Sequence, residues 1–455
     1  MNAGGTGAEE GRLPRSLGTW SATAVVVGSI IGSGIFRVPA TVAAETGSVG
    51  AFASLWVLGG IIALCGALSL AELGAAFPRT GGMYVFLREA YGPRVAFLFG
   101  WGMLVVNPVS YAAVAVIFAA ALDALVGLPD AGARWVAAGM MVLLVAANYR
   151  SVRFGAAIQN ASTASKVIAL LGLAMAAFVL GPGESGALAE SLDFAPRSWS
   201  GYGIALIAVL FAYDAWQWLP QLAGEVRDPG RAVPRALGGG LLIVMLVYLA
   251  TNAANLYILS LDEMAASALV TADLAGRVLG AIGASFVAGL IMLATFSSNN
   301  GGLMTDSRVF FAMAEDGLFF RSVAAVHPRY RTPHVAVVVT GLVAIVYIFL
   351  RTFEQLAEAL IIGMWPFLAL SVGAVLLLRA RRPELARPYR TPGYPLVPIF
   401  FLLATVGIFG NALAEHPLST LVNLGILALG IPVYHAWRAI VGRGRNGARQ
   451  GPLGP

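Results

Sequence analysis

Twelve apolar stretches divide this chain between Thr19 and Trp437, and they leave it little choice of fold. They are Thr19–Ala43, Ala51–Ala76, Pro93–Leu122, Ala133–Tyr149, Phe154–Leu180, Gly201–Ala223, Pro234–Tyr257, Leu279–Asn300, Pro333–Leu350, Gln355–Leu378, Pro395–Leu413 and Leu418–Trp437. A helix needs about 20 mostly apolar residues to cross a bilayer. Lipid offers no water to a bare backbone, so a chain that crosses it must close its own hydrogen bonds, and runs of this length do so as helices. Only 11% of the residues are charged and 58% are hydrophobic, against about 25% charged in soluble domains. The expectation is an all-α membrane protein with 12 transmembrane helices. The net charge of +6 is no nucleic-acid footprint, because the arginines lie in short loops between the apolar runs.

The first stretch contains Val27–Phe36, V-G-S-I-I-G-S-G-I-F. Its three glycines, Gly28, Gly32 and Gly34, each weaken a helix by about 1 kcal/mol. Two readings are open for such a cluster. It lets helices pack closely, or it breaks the helix and turns free N–H groups toward an anion such as a carboxylate. The sixth stretch carries a second interruption, V-L-F-A-Y-D-A-W-Q-W-L-P-Q-L (Val209–Leu222), with Asp214 in mid-span and Pro220 beyond it. A charge at that depth costs about 2.5–3.5 kcal/mol, so Asp214 should face a cavity or a partner, inside a cluster of Phe211, Tyr213, Trp216 and Trp218. Paired interruptions five spans apart are a sequence sign of a transporter binding site.

The chain has 28 arginines and one lysine, Lys166, in the fifth stretch. At about 18 Å from the start of that stretch by helix rise it lies too deep to snorkel easily. Buried lysine can lose its proton and arginine cannot, so Lys166 is a candidate functional group. The eighth stretch ends T-F-S-S-N-N-G-G-L-M-T (Thr295–Thr305). Asn300 and its hydroxyl neighbours either line a polar site or bridge helices, and Gly301 and Gly302 should loosen that turn. Asn107 and Pro108 mark a kink in the third stretch. Phe77–Tyr91 is expected to hold an interfacial or re-entrant helix, and Ser307–Thr332 a short amphipathic one. The single cysteine, Cys65, permits no internal disulfide and no cysteine metal cluster, the four histidines make no metal motif, and no nucleotide loop or nucleophile–base set marks an enzyme. No cofactor and no metal is expected.

Five stretches in order resemble the amino acid–polyamine–organocation superfamily, and within it the L-type amino-acid transporter branch. They are G-S-I-I-G-S-G-I-F (Gly28–Phe36), A-E-L-G-A-A-F-P-R-T-G-G (Ala71–Gly82), F-A-Y-D-A-W (Phe211–Trp216), G-E-V-R-D-P (Gly224–Pro229) and S-R-V-F-F-A-M-A-E-D-G (Ser307–Gly317). The resemblance implies the leucine-transporter fold, a 5+5 inverted repeat with spans 1 and 6 unwound. Residues 19–441 would form the transporter domain, with repeat one at about 19–181, repeat two at about 201–378 and spans 11 and 12 at about 395–437. Residues 1–18 and 442–455 would be tails, the second disordered.

The resemblance also implies site roles. Main-chain N–H groups at Ser33 and Gly34 would take a substrate carboxylate, beside Gly32. The carbonyls of Ile30, Phe211, Ala212 and Asp214 would take its amine, with Phe211 capping the ligand from outside. Lys166 would stand where sodium-coupled relatives hold an ion and would link spans one and eight. Ala215 and Gln217 depart from the glycine and asparagine common in relatives. The loop Asp123–Arg134 has no cysteine, so no disulfide-linked ancillary subunit is expected. The function so implied is a sodium-independent amino-acid permease or exchanger in the plasma membrane, for small or medium neutral substrates with cationic ones second. Proton-coupled symport and a polyamine or organic-cation carrier are the alternatives. A channel or membrane enzyme fits the paired breaks and the lone acid less well.

The N-terminal tail, the even-to-odd loops and the C-terminal tail hold 23 of the arginines. Positive charge stays cytoplasmic, so both termini should face the cytoplasm. A C-terminal reporter that fluoresces or cleaves substrate only inside the cell should be active, and activity confined to the outer face would reverse the topology.

Overall fold

The computed structural model describes residues 13–129, 132–181, 193–350, 353–415 and 417–449. Among them every regular element is a helix, and one parallel bridge joins Leu17 to Val226. The first apolar stretch is two helices, α1 (Thr19–Ile30) and α2 (Gly34–Thr46), bent by 45° at the break. Then come α3 (Val49–Ala76), the short α4 (Met83–Tyr91), α5 (Pro93–Val105) and α6 (Pro108–Val126), α7 (Gly132–Arg150) and α8 (Val152–Leu180). Next, α9 (Trp199–Ala212) gives way to a 3-10 segment, Trp216–Glu225, before α10 (Pro229–Ile258). Two short helices, α11 (Leu261–Ala266) and α12 (Val270–Leu279), precede the long α13 (Ala281–Glu315). The remainder is α14 (His334–Leu350), α15 (Phe353–Arg381), α16 (Leu396–Glu415), α17 (Pro417–Ala428) and α18 (Gly430–Arg449).

Among the described residues, ten helical segments are long and apolar enough to cross a membrane, and eleven if the bent pair α1–α2 is one span. The expected ninth span is α14, at 17 residues the shorter apolar helix. Its rise of about 26 Å falls below the roughly 30 Å of a hydrocarbon core. The kink at Asn107–Pro108 is present, since Pro108 opens α6 and its ring cannot donate into the preceding turn.

Three expectations are corrected. Ser307–Thr332 does not start a separate amphipathic helix: α13 runs on to Glu315, and only a short 3-10 turn, Arg321–Ala324, follows. The charge on Arg308 does not stop the helix because it is neutralised at depth. Its guanidinium donates to both carboxylate oxygens of Glu225, at 2.7 and 3.0 Å, with both side chains almost wholly buried. Nor do Gly301 and Gly302 loosen their turn. α13 passes through them unbroken, and they admit close neighbours instead: a Cβ at Gly302 would stand 2.3 Å from the Tyr111 ring. Finally, α18 is helical to Arg449, into the segment expected to be disordered from residue 442; no proline stands before Pro452 to end it.

The Arg308–Glu225 pair joins two stretches that the sequence singled out separately, G-E-V-R-D-P and S-R-V-F-F. Leu17 pairs with the same segment, its N–H donating to the Glu225 carbonyl at 3.0 Å and its carbonyl accepting from Arg227 at 2.8 Å. A second buried acid, Glu72 on α3, receives Arg379 (2.9 and 2.6 Å), the Thr391 main chain (2.7 Å) and Arg387 (3.3 Å). On the surface beside α4, Glu89 bonds both Arg79 and Arg382. Partial burial pushes the Glu89 carboxyl up, and the bonds to Arg382 and Arg79 outweigh it and hold the group below its ordinary range.

Removing one partner of a buried ion pair strands the other charge, at about 3–5 kcal/mol. Glu225→Ala should therefore cost about that much stability, read as a large fall in the thermal transition in detergent. An exposed change such as Glu263→Ala should leave the transition nearly unmoved.

Candidate functional site

The two interrupted spans meet. α2 packs against α9, and the contact is closest where Gly34 faces Ala212. A Cβ built on Gly34 would lie 2.8 Å from the Ala212 Cα, too close for any side chain without moving the backbone. Glycine is required here for approach to the neighbouring helix.

Each break frees main-chain groups, N–H groups at the start of α2 and carbonyls at the end of α9. α1 closes at Ile30 and α2 opens at Gly34, so the first turn of α2 presents N–H groups that no helical carbonyl can satisfy. Ser33 makes no side-chain cap bond there. α9 closes at Ala212, Asp214 follows, and Ala215 takes a left-handed conformation (φ 81°) before the 3-10 segment. Non-glycine residues seldom adopt this geometry, and it costs about 1–3 kcal/mol, held by the packing around it. A glycine at this position would avoid that strain.

Between the breaks lies a cavity of about 60 Å³. Ile30, Gly32, Ser33 and Gly34 line one side, and Phe211, Ala212 and Asp214 the other. Tyr111, Ser298 and Asn299 complete the wall. The residues selected from sequence for a substrate's two ends therefore line one space. Three of the expected amine acceptors already have donors: the Tyr248 hydroxyl reaches the Ile30 carbonyl at 3.1 Å and the Ala212 carbonyl at 2.9 Å, the Gly32 N–H donates to the Ile30 carbonyl at 2.8 Å, and the Asp214 N–H donates to the Phe211 carbonyl at 3.2 Å. A carbonyl has two lone pairs, so those of Ala212 and Phe211 retain capacity, whereas that of Ile30 is already engaged twice. Tyr248 ties the two breaks together and was missed in the sequence, where it is one tyrosine in an apolar run. Tyr111 was also unassigned, and Ser298 and Asn299 lie in the stretch for which a polar site and helix bridging were both open.

The aromatics expected around Asp214 disperse. Tyr213 packs on Tyr248 (5.1 Å between ring centres) and Trp56 (6.1 Å), and Trp216 on Phe401. Only Phe211 and Trp218 line the cavity. The bond that Asp214 accepts comes from the Gln217 amide, 2.9 Å away and one 3-10 turn on.

Lys166 is fully buried on α8 and donates to two carbonyls of the first break, Gly28 and Ile31. Its expected link to span eight is indirect. Ser297 and Ser298 of α13 bond the Gly28 and Ser29 carbonyls (3.4 and 3.0 Å), so lysine and serines converge on α1 from two sides. Asn300 serves another joint: it donates to the Gly155 carbonyl and Gln159 (3.0 and 2.9 Å) and accepts from Asn148 (2.9 Å), joining α13 to α7 and α8. Among the described residues no group of three or more histidine, cysteine or acidic side chains could hold a metal.

The family profile described as amino acid permease matches residues 17–431, nearly the whole architecture just described. This chain belongs to that family. It is 32% identical over 437 residues to the serine/threonine exchanger SteT of Bacillus subtilis (strain 168), covering 94% of this chain and 98% of that protein. The human large neutral amino acids transporter small subunit 2 is 31% identical, covering 94% of this chain and 82% of the relative. The human cystine/glutamate transporter is 28% identical, covering 94% and 86%. The permease is thus a multi-pass membrane transporter and not an enzyme, and its relatives carry amino acids.

Forcing a side chain into the Gly34–Ala212 contact should cost about 1–3 kcal/mol, or about 5- to 150-fold in function. Gly34→Val should lower uptake of every amino acid alike while the protein still reaches the membrane. A variant that changed the ranking of substrates and not the overall rate would assign Gly34 to side-chain selection.

Proposed function

We propose that this permease is a sodium-independent exchanger of small or medium neutral L-amino acids, with cationic ones second, working by alternating access across the plasma membrane. The observation that carries the reading is the convergence of two broken helices on one cavity, N–H groups from one and carbonyls from the other. A zwitterion has a complementary end for each. The α-carboxylate would sit at the α2 N-terminus by Ser33 and Gly34, where N–H groups and helix dipole favour an anion. The α-amine would sit among the carbonyls of Ile30, Phe211, Ala212 and Asp214, and Phe211 would cap it. Asp214 adds a negative charge that favours amines and cationic side chains. The serine/threonine exchanger and the large neutral transporter among the relatives support small to medium neutral substrates.

The topology that goes with this function is 12 spans in a 5+5 inverted repeat, both termini cytoplasmic. α1–α2 and α9 with its 3-10 segment would be the equivalent broken spans, and α14 the ninth. Lys166 supports sodium independence: its ammonium holds the Gly28 and Ile31 carbonyls from within the protein, so a fixed cation does the work of a bound one. Amino-acid substrate and membrane lipid are the partners, without a disulfide-linked subunit.

The test is counterflow in proteoliposomes. Unlabelled serine or threonine trapped inside should accelerate uptake of labelled substrate, equally in sodium and in choline buffer. Lys166→Ala removes two charge-assisted bonds of about 1.5–3 kcal/mol each and should reduce exchange at least about tenfold in protein that remains monodisperse. Flux that climbs steeply with sodium, or an unimpaired alanine variant, would overturn the assignment. Competition by amines lacking the carboxylate, as strong as by amino acids, would instead favour an organic-cation carrier.

A further inference from the structure

Asp306 lies within α13 and is 1% exposed. Its carboxylate accepts from the Tyr111 hydroxyl and the Asn107 amide, with the Thr305 hydroxyl 3.4 Å away. All of these donors are neutral. The charged and titratable groups on the elements packed around it are otherwise engaged. Arg308, on the same helix, gives its guanidinium to Glu225 at the end of the 3-10 segment, and Lys166 on α8 is held by the Gly28 and Ile31 carbonyls. From α4, Tyr84 and Arg88 turn to Asp316. Tyr111 comes from α6, and Asp214 precedes the 3-10 segment. Among the described residues, α1, α5, α7, α12 and α14 send no titratable side chain into a bond with Asp306. An ionised carboxylate at this depth without a cation is costly.

The surroundings are rich in acceptors. Gln217 donates to Asp214, and both Gln217 and Gln221 leave their buried Oε1 without a partner. A cavity of about 30 Å³ lies at this place, lined by Asn107, Asp214, Gln217, Trp218 and Gln221. Such a space admits water but not the end of a substrate side chain. Asp214 and Trp218 also line the larger cavity between the breaks, as does Tyr111, whose hydroxyl bonds Asp306. Asp306 therefore stands one hydrogen bond behind the wall of both spaces. One carboxylate and two unpartnered carbonyl oxygens beside a water-sized space, with the Asp306 carboxylate one hydrogen bond behind its wall, call for hydrogen.

We propose that Asp306 takes up and releases a proton during transport, so that net amino-acid uptake is driven by a proton gradient. The proposal rests on the exchange reading above. One proton enters with one zwitterion, so one positive charge moves inward per neutral substrate. Inside, Asp306 releases its proton and the empty carrier returns deprotonated; in exchange, both half-cycles run with Asp306 in the same protonation state, and no net proton moves. The Tyr111 hydroxyl and the cavity water connect Asp306 to the substrate space and to Asp214.

The experiment compares two modes in proteoliposomes of wild type and Asp306→Asn, an isostere of the protonated acid. At equal pH, serine counterflow should agree within about twofold. With the inside one pH unit more alkaline, wild type should accumulate neutral substrate, by up to about tenfold at one proton per substrate, and a trapped pH dye should report proton entry. Asp306→Asn should show neither. A second variant covers a misfolded asparagine protein: Tyr111→Phe removes a donor to the carboxylate, so the external pH of half-maximal gradient-driven uptake should rise. Wild type that counterflows but ignores the gradient overturns the proposal, as does Asp306→Asn that still accumulates, or an unmoved half-maximal pH in Tyr111→Phe. Wild type without counterflow overturns the exchange reading instead.

Discussion

Main-chain polar groups released inside a membrane must find partners within the protein, and this permease is built around meeting that requirement at two broken helices. Each satisfier comes from another element. Lys166 of α8 takes the Gly28 and Ile31 carbonyls, Ser297 and Ser298 of α13 take Gly28 and Ser29, and Tyr248 of α10 bridges Ile30 to Ala212. An unsatisfied group in hydrocarbon costs several kcal/mol. The breaks are affordable because these helices surround them, and Ser33 and Gly34 at the start of α2 line the cavity between the breaks.

Buried charge is handled in two distinct ways. Glu225 and Glu72 have arginine partners with paired bonds of 2.6–3.0 Å, and they join distant segments. Such pairs gain little over apolar packing but are costly to split, which suits them to holding fixed joints. Asp306 and Asp214 are held by amides and hydroxyls alone. Neutral donors let a carboxyl change protonation without breaking an ion pair, which suits the moving part of a cycle.

Local chemistry explains what could be read in advance. The glycines of Val27–Phe36 and the acid and proline of Val209–Leu222 announce breaks because helix propensity and the missing proline donor act within a turn. Lys166 stood out because one lysine among 28 arginines at membrane depth is a local anomaly. The failures have the opposite character. α13 continues past Arg308 only because Glu225, 83 positions away, neutralises it. Tyr248 looks like any tyrosine in an apolar run until its hydroxyl is seen between two breaks. Asp306 adjoins a polar stretch that the sequence marked as far as Thr305, and its significance lies in partners at the start of α6.

The sequence by itself determined that the chain is helical and membrane-embedded, where its helices weaken, and which family motifs it carries, because hydropathy and backbone propensity are properties of short windows. Only the tertiary structure decided which freed carbonyl meets which donor, that Gly34 serves contact with Ala212, and that Asp306 stands one hydrogen bond behind a water-sized space lined by Asp214. Those outcomes depend on helix packing, in which residues from distant windows come within 3 Å of one another, and no local pattern encodes that distance.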